Sequence, residues 1–278
     1  MPRSRKFSQV DVFTAVPYRG NPVAVVLDGD GLSADEMHGV ARWTNLSETT
    51  FVLPPRDPRA DYRLRIFTPT QELPFAGHPT LGTCHAWLQN GGKPRDPHVY
   101  VQECEAGLVR VRPSTAGLEF EAPPLRRDGA LDDDTAKEVV RALAVDRADI
   151  VDIAWADNGP HWIAVLLRSA DAVLALKPRY TDLDIGVAGP YPDGSPEAFE
   201  VRAFFPKDGS IAEDPVTGSF NASLAQWLLA SGRANAPYVA RQGTALRRAG
   251  LVHITQDRDG SIWVGGSSVT CIAGQVEI

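Results

Sequence analysis

The sequence lacks the features that mark nucleic-acid binders, membrane proteins and disulfide-stabilised secreted domains. Its formal net charge is −7, and the short segment Pro2–Lys6 is its only basic run, which argues against a nucleic-acid surface. No stretch reaches the ~18 apolar residues of a membrane span, and no apolar run of signal-peptide length follows the basic start. The three cysteines, Cys84, Cys104 and Cys271, are odd in number and far apart. They predict reduced thiols in a cytoplasmic protein.

Motifs for cofactors and metals are also missing. The sequence has no Gly-x-Gly-x-x-Gly after a strand, no Gly-Lys-[Ser/Thr] phosphate loop and no Cys-x-x-Cys pair. The six histidines include no pair at metal-ligand spacing with supporting carboxylates. Asp28-Gly-Asp-Gly31 resembles the start of a calcium loop, but Leu32 occupies a ligand position and the twelfth position is not Glu, which predicts a turn. We therefore predict a protein that uses neither a metal nor an organic cofactor.

A repeated segment is present. Arg65-Ile-Phe-Thr-Pro69 ends a predicted strand, and Arg202-Ala-Phe-Phe-Pro206 repeats it about half a chain later. Apolar helical segments follow both copies, at 81–88 and 224–229. In this register Gly77 falls opposite Asp214. Three matched residues can arise by chance, but the shared order of strand, turn and helix favours an internal duplication.

The predicted architecture is mixed α/β in two halves. A chain of 278 residues with 43% hydrophobic residues is long enough for two domains of roughly 130 residues each. Each half is mostly strands around one or two helices, without the regular alternation of a doubly wound sheet. We predict an N-terminal half at 1–122, joined by a C-terminal strand at 268–278, and a C-terminal half at 123–267.

Acid–base residues lie beside the two predicted helix N-termini. Glu48 opens a strand, His78 lies between Gly77 and Pro79, and Asp214 precedes Pro215. Each has a simpler interpretation: a solvated Glu, a structural His, and an Asp214 or Thr217 that only caps the following helix.

Taken together, these residues predict proton transfer. A carboxylate near apolar walls has a raised pKa, and the pKa of a histidine starts near ~6.5, so both can pass protons near neutral pH. The N–H groups around Gly77 and His78, and around Gly218 and Ser219, can hold a substrate carboxylate. A hydrolase with Ser219 as nucleophile is the chemical rival, but Ser219 lacks the Gly-x-Ser-x-Gly setting.

Several blocks of sequence resemble the signature of one family, the phenazine-biosynthesis PhzF family, and they occur in family order over nearly the whole chain. They are Gly20-Asn-Pro-Val-Ala-Val, Asn45-Leu-Ser-Glu-Thr-Thr-Phe-Val, Arg65-Ile-Phe-Thr-Pro, Glu72-Leu-Pro-Phe-Ala-Gly-His-Pro-Thr-Leu-Gly-Thr and Glu213-Asp-Pro-Val-Thr-Gly-Ser. The resemblance implies a diaminopimelate-epimerase-like fold. This fold has two pseudo-symmetric halves, each a curved, mostly antiparallel sheet or barrel around a central helix, with the site in the cleft between them.

The resemblance also implies roles for individual residues. Glu48 corresponds to the glutamate that moves the substrate proton, and His78 and Asp214 correspond to residues that assist. Gly77, Gly218 and Ser219 match groups that hold the substrate. Epimerases of this fold use two cysteines instead, but neither Cys84 nor Cys271 lies at the corresponding turns. This argues against a two-thiol racemase.

The reaction implied by the resemblance is isomerisation of trans-2,3-dihydro-3-hydroxyanthranilate in phenazine (antibiotic) biosynthesis. A hydrogen moves from C3 toward C1, and the enol product becomes a ketone. A small carboxylated substrate and a homodimer are expected, whereas a nucleic-acid or membrane partner is not. Val216 and Phe220 depart from the family pattern of small residues, so we expect Phe220 to narrow the cleft. A noncatalytic carboxylate-binding protein and an amino-acid racemase or epimerase of the same fold are the alternatives.

Overall fold

The chain forms two compact units in its computed structural model, which describes residues 2–278. The first unit comprises Met1–Glu121 and Gly265–Ile278, and the second comprises Ala122–Val264. The C-terminal strand of the chain thus belongs to the unit formed by its N-terminal residues. In the described residues, no helix is long and apolar enough to cross a membrane.

Strands predominate over helices in both units. The first unit contains β1 (Ser4–Val12), β2 (Asn21–Val26), α1 (Ala34–Thr44), β3 (Glu48–Leu53), β4 (Tyr62–Phe67), β5 (Glu72–Leu73), α2 (Gly77–Gln89), β6 (Tyr100–Cys104), β7 (Gly107–Ser114) and β8 (Gly117–Glu121). The second contains β9 (Arg127–Gly129), α3 (Asp133–Leu143), β10 (Ile150–Asp157), β11 (Ile163–Leu167), α4 (Ala170–Ala175), β12 (Ile185–Pro190), β13 (Phe199–Lys207), β14 (Ser210–Asp214), α5 (Gly218–Ala230), β15 (Tyr238–Gln242) and β16 (Gly250–Gln256). β17 (Ile262–Gly266) leads back into the first unit, where β18 (Ser268–Glu277) ends the chain. Short 3-10 helices occupy Arg147–Asp149 and Thr244–Leu246.

The two units repeat one order of elements. β1 to β8, with α1 and α2, follow the same sequence of strands and helices as β10 to β17, with α4 and α5. The pairings repeat as well. β2 and β3 are parallel, as are β11 and β12, whereas β3–β4 and β12–β13 are antiparallel. Antiparallel pairs predominate in each unit, and the predicted duplication is therefore present.

Each unit contains one corresponding ion pair. Arg65 holds Glu72 through two hydrogen bonds of 2.6 Å, and its guanidinium lies 5.0 Å from the centre of the Phe67 ring. Arg202 holds Glu213 in the same way, at 3.0 and 2.7 Å, and lies 4.8 Å from the Phe204 ring. The predicted Arg-x-Phe repeat is therefore a shared structural unit of carboxylate, guanidinium and aromatic ring.

The register predicted beyond this repeat is wrong. Phe67 pairs with Glu72 across residues 68–71, whereas Phe204 pairs with Glu213 across the longer loop 205–212. Because the second hairpin is longer, Asp214 matches Leu73 in the first unit. The two helices then begin in step, so that Gly77 matches Gly218 and not Asp214.

The central helices α2 and α5 are buried nearly all round. Nine of the 13 residues of α2 and eight of the 13 residues of α5 are buried, as expected of helices enclosed by sheet. Gly82 allows this in α2, because a Cβ there would lie 2.4 Å from Val23 Cγ1. The apolar segments 81–88 and 224–229 lie within these helices, which begin at Gly77 and Gly218. His78 therefore lies in the first turn of α2, where Pro79 is tolerated because helix N-terminal N–H groups need no intrahelical partner.

The peripheral helices have side-chain caps. Ser33 and Glu36 form a capping box at the start of α1, and Asp132 accepts a hydrogen bond from the Thr135 N–H at the start of α3. The six-residue helix α4 was not predicted from the sequence. Its N-cap residue Ser169 accepts a hydrogen bond from the Ala172 N–H. By contrast, the N-cap residues of α2 and α5, Ala76 and Thr217, make no side-chain capping bond.

Candidate active site

Glu48 and His78 meet in the first unit. Glu48 is the first residue of β3, and His78 is the second residue of α2. Glu48 Oε2 and His78 Nε2 are 3.2 Å apart, and the two side chains are 15% and 5% exposed. Glu48 is therefore not a solvated surface residue, which rules out the simpler interpretation of this position.

Burial holds His78 neutral. It lowers the pKa of His78 to about 3, while a backbone hydrogen bond with Pro22 opposes the shift. Proline has no N–H, so the partner is the Pro22 carbonyl oxygen. The Asn21 amide nitrogen lies 3.4 Å from His78 Nδ1. Its contact with Glu48 therefore joins a carboxyl group to an imidazole whose neutral form burial favours, whereas the sequence alone predicts a histidine that titrates near neutral pH.

The N-terminus of α2 offers backbone donors at this contact. Gly77 and His78 are its first two residues, and Ala76 at the N-cap has no polar side chain to occupy their N–H groups. Helix N-termini carry a partial positive charge and exposed N–H groups, which suit an anion. The first unit thus places an acid–base pair beside a site suited to a carboxylate.

Asp214 lies at the end of β14 in the second unit, in a hydrogen-bond network. The network includes Gln242, which the sequence did not single out. The Thr217 hydroxyl donates to Asp214 Oδ2 at 2.7 Å. Gln242, fully buried at the end of β15, donates to the Thr217 hydroxyl at 2.9 Å and to the Asp214 carbonyl at 3.1 Å. Thr217 holds the N-cap position without capping α5 through its side chain, because its hydroxyl serves Asp214 instead.

Ser219 occupies the position in α5 that His78 occupies in α2. Its hydroxyl accepts a hydrogen bond of 3.0 Å from the Trp162 indole, and its carbonyl accepts one of 2.8 Å from the Asn158 amide. A nucleophilic serine needs a base that takes its proton, and an indole N–H is only a donor. These contacts favour a binding role for Ser219, with Gly218 beside it at the start of the helix.

The two departures from the family pattern lie in the core. Phe220 is fully buried, and a Cβ on Gly186 would lie 2.1 Å from its ring. Val216 is also buried, and a Cβ on Gly250 would lie 2.3 Å from its Cγ2. Each bulky residue therefore packs over a glycine. The ring of Phe220 is covered in this packing, and its effect on the cleft stays a prediction.

The cysteines have no part in these constellations. Cys84 is buried on α2, where burial raises its pKa to about 12, and Cys104 is buried in β6, where burial also raises the pKa. Cys271 is a half-buried residue of β18. Buried thiols with a raised pKa are poor nucleophiles and bases.

Residues that sequence analysis missed are mainly buried polar side chains. Asn21 and Gln242 contact predicted site residues, as described above, and Trp162 holds Ser219. Asn21 lies in the quoted block Gly20-Asn-Pro, which was a signal available in the sequence. Gln242 and Trp162 lie in ordinary strand and loop sequence, so only their packing reveals them.

The family model for phenazine biosynthesis-like proteins, PhzC-PhzF, matches residues 10–274 of this chain. A trans-2,3-dihydro-3-hydroxyanthranilate isomerase of Pseudomonas fluorescens is 36% identical over 87% of each chain. Antisense-enhancing sequence 1 of Schizosaccharomyces pombe is 35% identical over 97% of each chain.

Among solved structures, a PhzF-family phenazine biosynthesis protein of Bacillus anthracis superposes with a TM-score of 0.82. It is 22% identical and covers 99% of this chain and 100% of its own. A hydroxyproline epimerase of Agrobacterium vitis superposes with a TM-score of 0.61; it is 15% identical and covers 99% of this chain and 93% of its own. These similarities show the fold, and the predicted diaminopimelate-epimerase-like architecture is confirmed.

Proposed function

The chain belongs to the phenazine biosynthesis-like family and is an isomerase, and we propose that it transfers a proton within a small carboxylated substrate through Glu48. In this proposal His78 and Asp214 assist the transfer, and Gly77, Gly218 and Ser219 hold the substrate. No metal or organic cofactor takes part. A homodimer stays a prediction from family analogy.

One observation carries the proposal: the contact of 3.2 Å between Glu48 and a neutral, buried His78 at the uncapped N-terminus of α2. A histidine held neutral does not form an ion pair with Glu48. The carboxylate therefore keeps its basicity, which an adjacent positive charge would reduce. A protein that only bound a carboxylate would use the helix N-terminus but would not need this acid–base pair.

The residues suggest how the proton moves. Glu48 removes a proton from one carbon of the substrate and returns it to another, so one C–H bond breaks, one forms, and no oxidation occurs. Negative charge develops on the substrate between the two steps. The N–H groups of Gly77 and of Gly218 and Ser219 can stabilise this charge, because they are fixed before the reaction begins.

The first substrate to test is trans-2,3-dihydro-3-hydroxyanthranilate. The Pseudomonas fluorescens relative is named for its isomerisation, and it is similar over most of this chain. The substrate is a small carboxylate with an activated hydrogen next to a conjugated system, which suits a single carboxylate base. An amino-acid epimerase would use the same proton-transfer apparatus and is the second candidate for the substrate class.

Proton NMR in D2O tests the proposal. We expect the substrate signals to disappear with the wild-type protein and to persist with Glu48→Gln, which preserves the shape of the side chain but cannot accept the proton. Exchange at equal rates with both proteins would remove Glu48 from the mechanism. No exchange with either would exclude this substrate, and amino and hydroxy acids would then be screened for deuterium uptake. Binding of these acids without any exchange would favour the noncatalytic alternative.

A further inference from the structure

We infer that Gln242 is a positioning residue that directs the Thr217 hydroxyl hydrogen to Asp214 Oδ2 and so favours the charged form of the Asp214 carboxyl group. The inference rests on the role proposed for Asp214 in proton transfer. Gln242 is distant in sequence, belongs to none of the motif blocks, and is fully buried.

The orientation of the Gln242 amide is fixed by backbone groups. Its Oε1 accepts from the Thr217 N–H at 3.0 Å, and its Nε2 donates to the Asp214 carbonyl at 3.1 Å. A backbone N–H can only donate and a carbonyl oxygen can only accept. Rotating the amide by 180° would place two donors together and two acceptors together, so only one orientation satisfies both contacts.

The remaining contacts of Gln242 complete its hydrogen-bonding capacity. Oε1 also accepts from the Asn221 amide at 2.8 Å, and Asn221 itself is held by the Thr217 carbonyl at 2.9 Å. Nε2 also donates to the Thr217 hydroxyl oxygen at 2.9 Å. All four positions of the amide are therefore used, which makes its geometry rigid.

This arrangement determines the direction of the Thr217 hydroxyl. Its oxygen accepts from Gln242, so its single hydrogen is left for the contact of 2.7 Å with Asp214 Oδ2. A hydroxyl has one hydrogen and cannot donate to both neighbours. Without Gln242, the Thr217 hydroxyl could instead accept a hydrogen bond from a protonated Asp214, which would favour the neutral carboxyl group.

The consequence for Asp214 is chemical. A carboxyl oxygen that accepts a hydroxyl hydrogen bond is the poorer place for a proton, because this bond favours its charged form. The Thr217 hydroxyl bond therefore makes Asp214 give up its proton more readily. Gln242 does not touch the reacting atoms in this scheme, and it acts only through Thr217 and the Asp214 backbone.

The test follows the Asp214 carboxyl group directly, by its ¹³C chemical shift as a function of pH. We expect Thr217→Val, which removes the hydroxyl without changing the side-chain shape, to move the titration midpoint up by about one pH unit. Gln242→Met should move it in the same direction, since the freed Thr217 hydroxyl no longer has a fixed direction. If Gln242→Met does not fold, Gln242→Asn replaces it in the titration, because its side chain is one methylene too short to make these contacts.

Two control variants separate the effect of the Thr217 hydroxyl direction from a general loss of protein stability. Thr217→Ser keeps the hydroxyl and should leave the midpoint in place. Gln226→Met removes a part-buried glutamine contact in the same unit, a hydrogen bond of 3.0 Å to the Pro123 carbonyl, and should not affect Asp214. A shift with Thr217→Val but not with the Gln242 variants overturns the role of Gln242. The absence of a shift with all variants overturns the whole inference.

Activity gives a second, separable readout. Under the proposed function, Thr217→Val and Gln242→Met should lower kcat roughly tenfold, a part of the ~10²–10⁴ that a general acid contributes. KM should change little, and the acidic limb of the kcat profile should move to higher pH. If the wild type isomerises no substrate, the proposed function fails, yet the carboxyl titration still decides the inference. Normal kcat in both variants with unchanged titration would overturn the inference alone.

Discussion

The two units share a scaffold but differ in the chemistry at corresponding positions. Thr49 and Ile185 pair with the matching residues Phe67 and Phe204, so Glu48 corresponds to Asp184, one residue earlier. On the central helices, His78 corresponds to Ser219. The first unit therefore presents a carboxyl group and an imidazole, whereas the second presents a carboxyl group and a hydroxyl.

The difference shows which features the repeated fold requires. The Arg65–Glu72 and Arg202–Glu213 pairs are both retained, next to a matching phenylalanine. The residues at the N-termini of the central helices differ. Asp214 has the apolar Leu73 as its counterpart. Scaffold contacts thus repeat in the two units, and the groups with acid–base chemistry have diverged.

The largest expected effect compares Glu48 with Asp184. Glu48→Gln should lower the rate of substrate deuterium exchange by about 10²–10⁴, the usual contribution of a general base. Asp184→Asn should leave the rate close to that of the wild type, because the residue of α5 that corresponds to His78 is Ser219 and not an imidazole. Exchange kinetics measured by NMR at saturating substrate would check both. Equal losses would show that the two units contribute equivalent carboxyl groups.

A second comparison concerns the repeated ion pair. The side chains of Arg202 and Glu213 are 7% and 10% exposed, against 26% and 30% for Arg65 and Glu72. Arg202 also donates to the Val173 and Leu176 carbonyls at the end of α4.

Glu213→Gln should therefore lower the free energy of unfolding by about 3–5 kcal/mol, because it leaves a buried guanidinium without its counter-charge. Glu72→Gln should lower it by only about 1 kcal/mol, since its pair is more solvated. Urea denaturation of the two variants measures the difference. Similar losses would mean that burial does not distinguish the pairs.

A third comparison tests how the central helix packs in each unit. Gly186 corresponds to Thr50, which donates or accepts a hydrogen bond of 2.8 Å with Thr83 on α2. Gly186 instead makes room for Phe220.

Gly186→Ala should lower the free energy of unfolding by about 1–3 kcal/mol through overpacking. Adding Phe220→Leu should make the double variant more stable than the sum of the single changes predicts, which a double-mutant cycle in urea would reveal. Gly39→Ala is the control, because a Cβ there meets nothing within 4 Å. Additivity of the two changes would contradict the direct contact.

The smallest expected effect is the pH dependence due to Asp184. Burial raises the pKa of Asp184 to about 6; nearby His161 opposes the shift and Asp157 adds to it. The folded state then binds this proton more tightly than the unfolded state, so the contribution to stability is lost as the pH rises from about 4 to 6.

Asp184→Asn should therefore be more stable than the wild type at pH 7 by about 1–2 kcal/mol, a value reduced for the partial exposure of the group. At pH 4 the two proteins should be equally stable. Unfolding curves at both values check this, with the exposed Asp193→Asn as a control. An equal effect at the two pH values would contradict a raised pKa.

Much of the fold was open to prediction because its signals are local. Ser33 and Asp132 are residue types that favour the start of a helix, and they begin α1 and α3. The matched Arg-x-Phe segments predicted the duplication. The short α4 was missed because six residues do not establish a helical period. The register of the repeat was predicted wrongly because a longer hairpin at 205–212 changes the alignment without changing the pattern on either side.

The sequence by itself determined the family, the two-fold repeat and the candidate residues Glu48, His78 and Asp214, because these depend on residue types in a preserved order. Only the tertiary structure decided that His78 is neutral, since desolvation depends on residues packed around it from other elements. It also brought Gln242 into a hydrogen bond with the Thr217 hydroxyl and packed the Phe220 ring against Gly186. Hydrogen-bond direction and burial arise from groups distant in sequence, and they exist only once the chain is folded.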